Sequence, residues 1–233
     1  MKILLTRPHK DSQVTADILQ TKNMSSAIQP MFEIIEHDVV ISEDDYQAII
    51  FTSRHSVTSF ARQFSKRTIP VYCVGNHTAQ YAADHHFETV FSADGDATDL
   101  SALIQKNLSP QNGKILRLTG YPDSDFLSAE LHTIGYEMDS VQLYHPEPVA
   151  ALSDATIDLL NRHELNGVLF FSPQTAAHFY TLLTAANLAQ TCRTLKAWCI
   201  SDKTALALND LPFNEIHIAS RPTHNALIDL IST

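Results

Sequence analysis

Glycine is scarce in this chain, with six among 233 residues, and none of the six stands in a phosphate-binding pattern. There is no GxGxxG behind an apolar run and no GxxxxGK[ST], so the common nucleotide-binding loops are excluded. HExxH, GxSxG and the calcium-binding EF-hand loop are missing too, which removes three further families of chemistry. Cysteine is as sparse: Cys73, Cys192 and Cys199 form an odd set without a CxxC, so neither a disulfide framework nor a zinc knuckle is indicated, and buried free thiols are expected. Basic residues are outnumbered, 16 Lys and Arg against 26 Asp and Glu, for a net charge of -10. A chain that acidic, with no basic stripe, repels phosphate backbones, so nucleic acid is excluded as a partner. No apolar run approaches the ~18 residues of a membrane span. The opening Met1-Lys2-Ile3-Leu4-Leu5-Thr6-Arg7-Pro8 is too short in apolar residues for a signal peptide and reads as a first strand, which makes a cytoplasmic location the expectation. Twelve histidines are present, but His85-His86 follow a helical segment, and His55, His77, His132, His145, His163 and His224 are scattered without ligand spacing. No metal is expected.

What is present is an ordinary globular composition, 44% hydrophobic and 18% charged, at a length that allows two compact α/β domains. Short apolar runs alternate with helix-period segments throughout, the mark of βα units and parallel sheets. Strands are expected to begin near Ile3, Ala27, Ala48, Val71, Thr89, Ile115, Glu137, Val168, Ala197 and Glu215. Amphipathic stretches between them include Ser12 to Gln20, Ser56 to Phe64, Thr78 to Asp84, Asp99 to Leu108, Ser124 to Ile134, Thr175 to Leu183 and Thr204 to Leu208. Ser53, Asn76, Ser124, Ser172 with Pro173 behind it, and Asp202 supply the helix starts that glycine does not.

An internal repeat organises the whole chain. Phe51-Thr52-Ser53 and Phe60 match Phe170-Phe171-Ser172 and Phe179 at an offset of 119 residues. Cys73, Thr78, Ala79, Phe87 and Ala93 match Cys199, Thr204, Ala205, Phe213 and Ala219 at an offset of 126. Lys2-Ile3-Leu4, Asp11-Ser12 and Leu19 match Lys114-Ile115-Leu116, Asp123-Ser124 and Leu131 at an offset of 112. This last block precedes its partners in one copy and follows them in the other. A permuted order of that kind is explained if residues 1–36 and 149–233 make one discontinuous domain with a second, 39–145, inserted in it. The chain then crosses twice, near 36–39 and 144–149, the second crossing stiffened by Pro146 and Pro148.

In open parallel sheets, ligands bind at the carboxyl ends of the strands. The turns expected there are Thr6-Arg7-Pro8, Thr52-Ser53-Arg54, Gly75-Asn76-His77-Thr78, Thr119-Gly120-Tyr121, Ser172-Pro173-Gln174 and Ser201-Asp202-Lys203-Thr204. Each offers hydroxyls and the backbone N–H groups of a helix start, which suit an anion such as a carboxylate, although any one of these residues could simply cap its helix. Arg7, Arg54, Arg117, Lys203 and Arg221 lie at or beside them as carboxylate partners. Tyr144 ends the run Ser140-Val141-Gln142-Leu143 at the second crossing, where a phenol that keeps its proton at neutral pH is a usable proton donor or else a packing residue.

Taken together, Ile3-Leu4-Leu5-Thr6-Arg7-Pro8, Ile50-Phe51-Thr52-Ser53, Val74-Gly75-Asn76-His77-Thr78-Ala79, Val141-Gln142-Leu143-Tyr144, Phe170-Phe171-Ser172-Pro173, Thr204-Ala205-Leu206-Ala207-Leu208 and Ala219-Ser220-Arg221-Pro222-Thr223-His224-Asn225-Ala226-Leu227 resemble the uroporphyrinogen-III synthase family. The resemblance covers nearly the whole chain. It implies two flavodoxin-like domains joined by a two-strand linker around a substrate cleft, and a monomer without metal or organic cofactor. The reaction it implies is cyclisation of hydroxymethylbilane with loss of water and inversion of ring D. In that reaction a pyrrole-stabilised azafulvenium is attacked by ring D at its substituted carbon, giving a spiro intermediate that fragments and recloses the other way round. Orientation of the bilane's carboxylate arms is then the main task. By the same resemblance Tyr144 stands near the departing hydroxyl, while Ser53, Thr78, Ser172 and Thr204 are cleft hydroxyls with backbone amides beside them; Arg7, Arg54, Gly75, Asn76, Gly120 and Lys203, from the turns described above, are the further candidate substrate contacts. Where many relatives have a Gly-Pro-Thr-Thr type turn, this chain has Ser201-Asp202-Lys203-Thr204. Asp202 would repel a carboxylate there and Lys203 would bind one. A transient contact with the preceding deaminase is left open. The rival readings are a two-lobed small-molecule binding protein and a nucleotide-dependent transferase, which the product of the bilane reaction separates.

Overall fold

Ile3 and Leu5 point to one side of their strand and Leu4 to the other, and all three are buried, which requires a sheet covered on both faces. The same alternation recurs in Ala48 and Ile50 against Ile49 and Phe51, and in Ile115 against Leu116 and Leu118. The structure, a computed structural model, describes residues 1–120 and 126–231. Tyr121, Asp123 and Ser124, named above in a turn, a repeat and a helix start, lie outside the described residues.

The strands are β1 (Lys2–Leu5), β2 (Ser25–Ile28), β3 (Phe32–Glu36), β4 (Tyr46–Phe51), β5 (Val71–Cys73), β6 (Val90–Ser92), β7 (Lys114–Thr119), β8 (Met138–Gln142), β9 (Tyr144–Pro148), β10 (Gly167–Phe170), β11 (Lys196–Cys199) and β12 (Glu215–Ile218). The helices are α1 (His9–Thr21), α2 (Arg54–Gln63), α3 (Asn76–Asp84), α4 (Ala97–Asn107), α5 (Phe126–Thr133), α6 (Asp154–Asn161), α7 (Pro173–Ala185), α8 (Asp202–Leu206) and α9 (His224–Ile231). Two units result. The first comprises Met1–Glu33 with Glu147–Thr233, and the second Ile34–Pro146.

The first unit holds a parallel sheet in the order β2-β1-β10-β11-β12, and the second one in the order β6-β5-β4-β7-β8. Counted along the chain the first runs 2-1-3-4-5, the flavodoxin-like order. The second takes the same order only if counting starts at β7, which is the permutation the repeat implied. The aromatic core repeats with it: Phe51 meets Phe60 edge-on at 5.8 Å and Phe87 at 5.3 Å, and their counterparts Phe170, Phe179 and Phe213 make contacts of 5.2 and 6.3 Å. The two-domain α/β expectation agrees with this architecture. A further two-stranded sheet pairs β3 with β9, and the division between the units falls inside both strands.

Three local readings are corrected. Tyr144 does not end the preceding strand; β8 stops at Gln142, Leu143 intervenes, and Tyr144 opens β9. Asn76 is the first helical residue of α3, with Gly75 at the cap position. The cap of α8 is Ser201, whose hydroxyl accepts the Thr204 N–H, and Asp202 follows it inside the helix. Among the described residues, α6 and α9 add to the helices expected from periodicity, and no helix is long and apolar enough to cross a membrane.

Candidate active site

In the second unit β4 delivers Thr52 and Ser53 at its carboxyl end. An extended backbone at Ser53 (φ -161°, ψ 167°) lets its side chain turn onto the first turn of α2. There Ser53 Oγ accepts the Ser56 N–H, and Ser56 Oγ accepts the Ser53 N–H and donates to the Ser53 carbonyl at 2.7 Å, a closed capping box. Held this way, Ser53 Oγ lies 2.8 Å from the Tyr144 hydroxyl, at hydrogen-bond distance. The serine oxygen also accepts a backbone N–H, and either hydroxyl of the pair can be the donor in their mutual contact.

The neighbouring strand explains why position 120 is glycine. Gly120 follows β7, its carbonyl accepts the Gln142 side-chain amide at 2.8 Å, and a Cβ at this position would sit 2.5 Å from Tyr144 Cε2, 2.6 Å from Cζ and 2.9 Å from the phenol oxygen. The missing Cβ is the space that the ring occupies. Tyr144 is buried in the core cluster that includes Ile49, Phe51, Leu116 and Leu118, with 7% of its surface exposed. His55, on the first turn of α2, brings its ring to 5.4 Å from the Tyr144 ring at an interplanar angle of 54°. Ser53, Tyr144, Gly120 and His55 therefore form one cluster within this unit.

Gly75, Asn76 and Thr78 sit one helix away, at the start of α3. Gly75 caps α3 without a side chain, and Thr78 donates its N–H to the Gly75 carbonyl at 3.2 Å. Asn76 is exposed and Thr78 half-buried. Arg54 lies over the Tyr81 ring at 5.8 Å, and the Tyr81 hydroxyl meets Thr58 of α2 at 3.2 Å. Arg117, expected beside a turn, is instead buried within β7.

In the first unit the matching turns lie at the carboxyl ends of β1, β10 and β11. Thr6 donates its hydroxyl to the Leu169 carbonyl and fixes the end of β1 against β10. Arg7 pairs with Asp11 at 3.0 Å and lies over the Phe171 ring at 4.8 Å; His224 stacks on Phe171 at 5.4 Å and reaches Thr15 at 3.2 Å. Ser172 caps α7 and meets Thr175 at 2.8 Å, while Ser201 caps α8 and meets the buried Thr204 at 3.0 Å. Lys203 is exposed in the first turn of α8, as is Arg221 before α9. Ser172 and Thr204 are thus committed to their own helix starts, as Ser53 is, but Ser53 alone of the three is given a tyrosine partner.

Sequence reasoning passed over His55, since it searched the histidines only for metal spacing. The reading of Ser53 and Tyr144 as separate site residues left their direct contact to be found. The offset of 112 residues pairs Tyr144 with Phe32, and both open their strands in the two-stranded sheet. The equivalent position of the first unit thus lacks a hydroxyl.

Chemically, the cluster offers a hydroxyl pair and an imidazole. Cys73 and Cys199, which end β5 and β11 just below two of the turns, are fully buried, and burial pushes each thiol up to about 12, so neither is a nucleophile at neutral pH. Among the described residues no group of three or more His, Cys, Asp or Glu is placed to hold a metal ion.

Comparison with known proteins speaks to the family and the fold. The family model HEM4, uroporphyrinogen-III synthase HemD, matches residues 13–229. Among solved structures, the uroporphyrinogen-III synthetase of Helicobacter pylori is 18% identical, with a TM-score of 0.65 over 99% of this chain and 98% of that one. A mutant uroporphyrinogen III synthase of the extremely thermophilic bacterium Thermus thermophilus is 13% identical, with a TM-score of 0.51 over 100% of this chain and 96% of that one. At such identities the structures speak for the fold, and the family model, spanning nearly all of the chain, speaks for the lineage. None of these matches supports the two-lobed binding protein. The chain belongs to the uroporphyrinogen-III synthase family.

Proposed function

We infer that this chain is the lyase that converts hydroxymethylbilane into uroporphyrinogen III, with loss of water and inversion of ring D, in tetrapyrrole biosynthesis. The observation that carries the assignment to a site is the 2.8 Å contact between the Tyr144 hydroxyl and Ser53 Oγ, at the carboxyl ends of the second unit's strands. Tyr144 is the acid that gives its proton to the departing hydroxyl, or the donor that holds it. Ser53 donates to the phenol oxygen and so helps to carry the charge left behind. Once the carbon–oxygen bond breaks, the resulting cation is stabilised by its own pyrrole, so the protein's larger task is posing ring D for attack through its substituted carbon.

With a net charge of -10, the protein attracts the carboxylate arms locally or not at all. Arg7, Arg54 and Lys203, with the backbone amides and hydroxyls at Ser53, Gly75, Asn76, Thr78, Gly120, Ser172 and Thr204, are the groups proposed to hold them. Arg7 comes already paired to Asp11, so a substrate carboxylate meets a guanidinium whose orientation that pair helps to hold. The enzyme works as a cytoplasmic monomer without metal or organic cofactor, and the deaminase that makes the bilane is a candidate for transient contact.

Replacing Tyr144 with phenylalanine removes the hydroxyl and little else. The variant is expected to fold with wild-type thermal stability to within about 1 kcal/mol, the worth of one hydrogen bond, and to turn over hydroxymethylbilane at least tenfold more slowly, about 1.4 kcal/mol of barrier. Wild-type kinetics in that variant would remove Tyr144 from the mechanism.

A further inference from the structure

Ring closure handles a proton at two different atoms, an oxygen first and a carbon last. One proton goes to the leaving hydroxyl, so that the carbon–oxygen bond breaks and water departs. Another is released at the end, after the spiro intermediate has fragmented. The free α-carbon of ring D then bonds to the methylene carbon of ring C, and its hydrogen must leave to restore the aromatic pyrrole. The proposed role of Tyr144 covers the first event and leaves its oxygen as a hydrogen-bonded phenolate beside Ser53. A base is still needed where the second proton comes off.

We propose that His55 is that base. This rests on the synthase reading above and goes beyond it. Three observations support it. His55 lies on the first turn of α2, between the two serines of the capping box that sets Ser53, so its backbone is held by the same pair of hydrogen bonds. Its ring stands 5.4 Å from the Tyr144 ring and tilted by 54°, so one substrate ring at this end of the strands can touch both. His55 is half-buried and not sunk in the core, as a group that meets a ligand must be. Histidine is also the side chain that takes up and releases protons in the neutral range. Among the described residues, Tyr144 of β9 is a titratable group in ring contact with it, and Arg54, next to it on α2, lies over the Tyr81 ring of α3.

The step balances. The imidazole takes the proton from the ring D α-carbon as the pyrrole π-system recovers the electron pair of that carbon–hydrogen bond. The imidazolium then gives a proton back to the Tyr144 phenolate, directly or through the released water. Bilane has become macrocycle plus one water, and both side chains are back in their starting forms.

The test uses hydroxymethylbilane carrying deuterium at the free α-carbon of ring D, with wild type, His55→Gln and His55→Asn. Thermal midpoints are recorded for all three, and the variant that folds as wild type is the one judged. The expected result is a fall in kcat of about 10²-fold, the usual worth of a general base, with KM within about twofold and a primary isotope effect larger than that of wild type. An unchanged kcat overturns the proposal. So does a lower kcat without a larger isotope effect, because that is what a histidine that merely orients Tyr144 would give. Production of isomer I alone by the wild-type protein would overturn the synthase reading itself and is distinguishable from either outcome.

Discussion

Substituting Gly120 with alanine tests the site through one added carbon. The new Cβ would stand 2.5 Å from Tyr144 Cε2 and 2.6 Å from Cζ. Carbon atoms in contact prefer ~3.5 to 4.0 Å, so the ring must retreat by about 1 Å or the backbone after β7 must give way. The backbone is held on that side by the Gln142 amide on the Gly120 carbonyl, so the ring is the softer element. A retreat of that size stretches the 2.8 Å contact with Ser53 beyond the ~2.5 to 3.0 Å range of hydroxyl hydrogen bonds. Misplacing a catalytic group by ~1 Å can cost about 10²-fold in rate. Overpacking of this kind costs ~1 to 3 kcal/mol of stability, which for a chain of this size lowers the thermal midpoint by roughly 2 to 4 °C per kcal/mol. The assay is kcat on hydroxymethylbilane beside a melting curve. The sharper version repeats the substitution in a Tyr144→Phe background, where adding the methyl should cost little further rate because the displaced hydroxyl is already gone. Full activity in Gly120→Ala, or an equal further loss in the double variant, would refute the account of why this position is glycine.

A second glycine behaves oppositely: Gly75 has nothing within 4 Å of an added Cβ and an ordinary extended backbone, φ -125° and ψ 156°. Gly75→Ser should install on α3 the cap that Ser201 gives to α8 in the matching turn, raising stability by a few tenths of a kcal/mol, read as a small upward shift in a melting curve. Stability should also respond to alkali. Burial pushes Cys73, Cys192 and Cys199 from 9.0 up to about 12, so the folded state keeps protons that the unfolded chain releases from about pH 9 upward. Unfolding then releases protons, and stability is full below that point and falls as pH rises through the window to about 12, by up to ~1.4 kcal/mol per thiol per pH unit. Urea midpoints between pH 7 and 11 measure this, and a flat profile above pH 9 would contradict it.

The sequence carried the fold far because its signals are redundant. Inner strands of both sheets, such as β1, β4 and β10, carry short apolar runs, and a strand buried on two faces has little room for anything else. The repeat added what periodicity could not: the offset of 112 residues ties β7 to β1 and so predicts a permuted sheet order. Other elements were harder to read. β3 alternates between half-buried and exposed with no fully buried residue, and β9 buries only Tyr144 and holds two prolines, so neither is the apolar run that marks the parallel strands. The site was legible as a set of turns but not as a constellation. Ser53 and Tyr144 are 91 positions apart, and their contact depends on Gly120, whose reason for being glycine is a ring contributed by another strand. His55 gave no signal, because a lone histidine in the first turn of a helix has no pattern to match.

The central claim is a choice between two isomers, and product analysis reads it directly. Purified protein is given hydroxymethylbilane, the product is oxidised, and the porphyrin isomers are separated. The account predicts isomer III in excess, formed faster than the isomer I that arises when the bilane closes unaided. Isomer I alone, at the rate of a protein-free control, would contradict it.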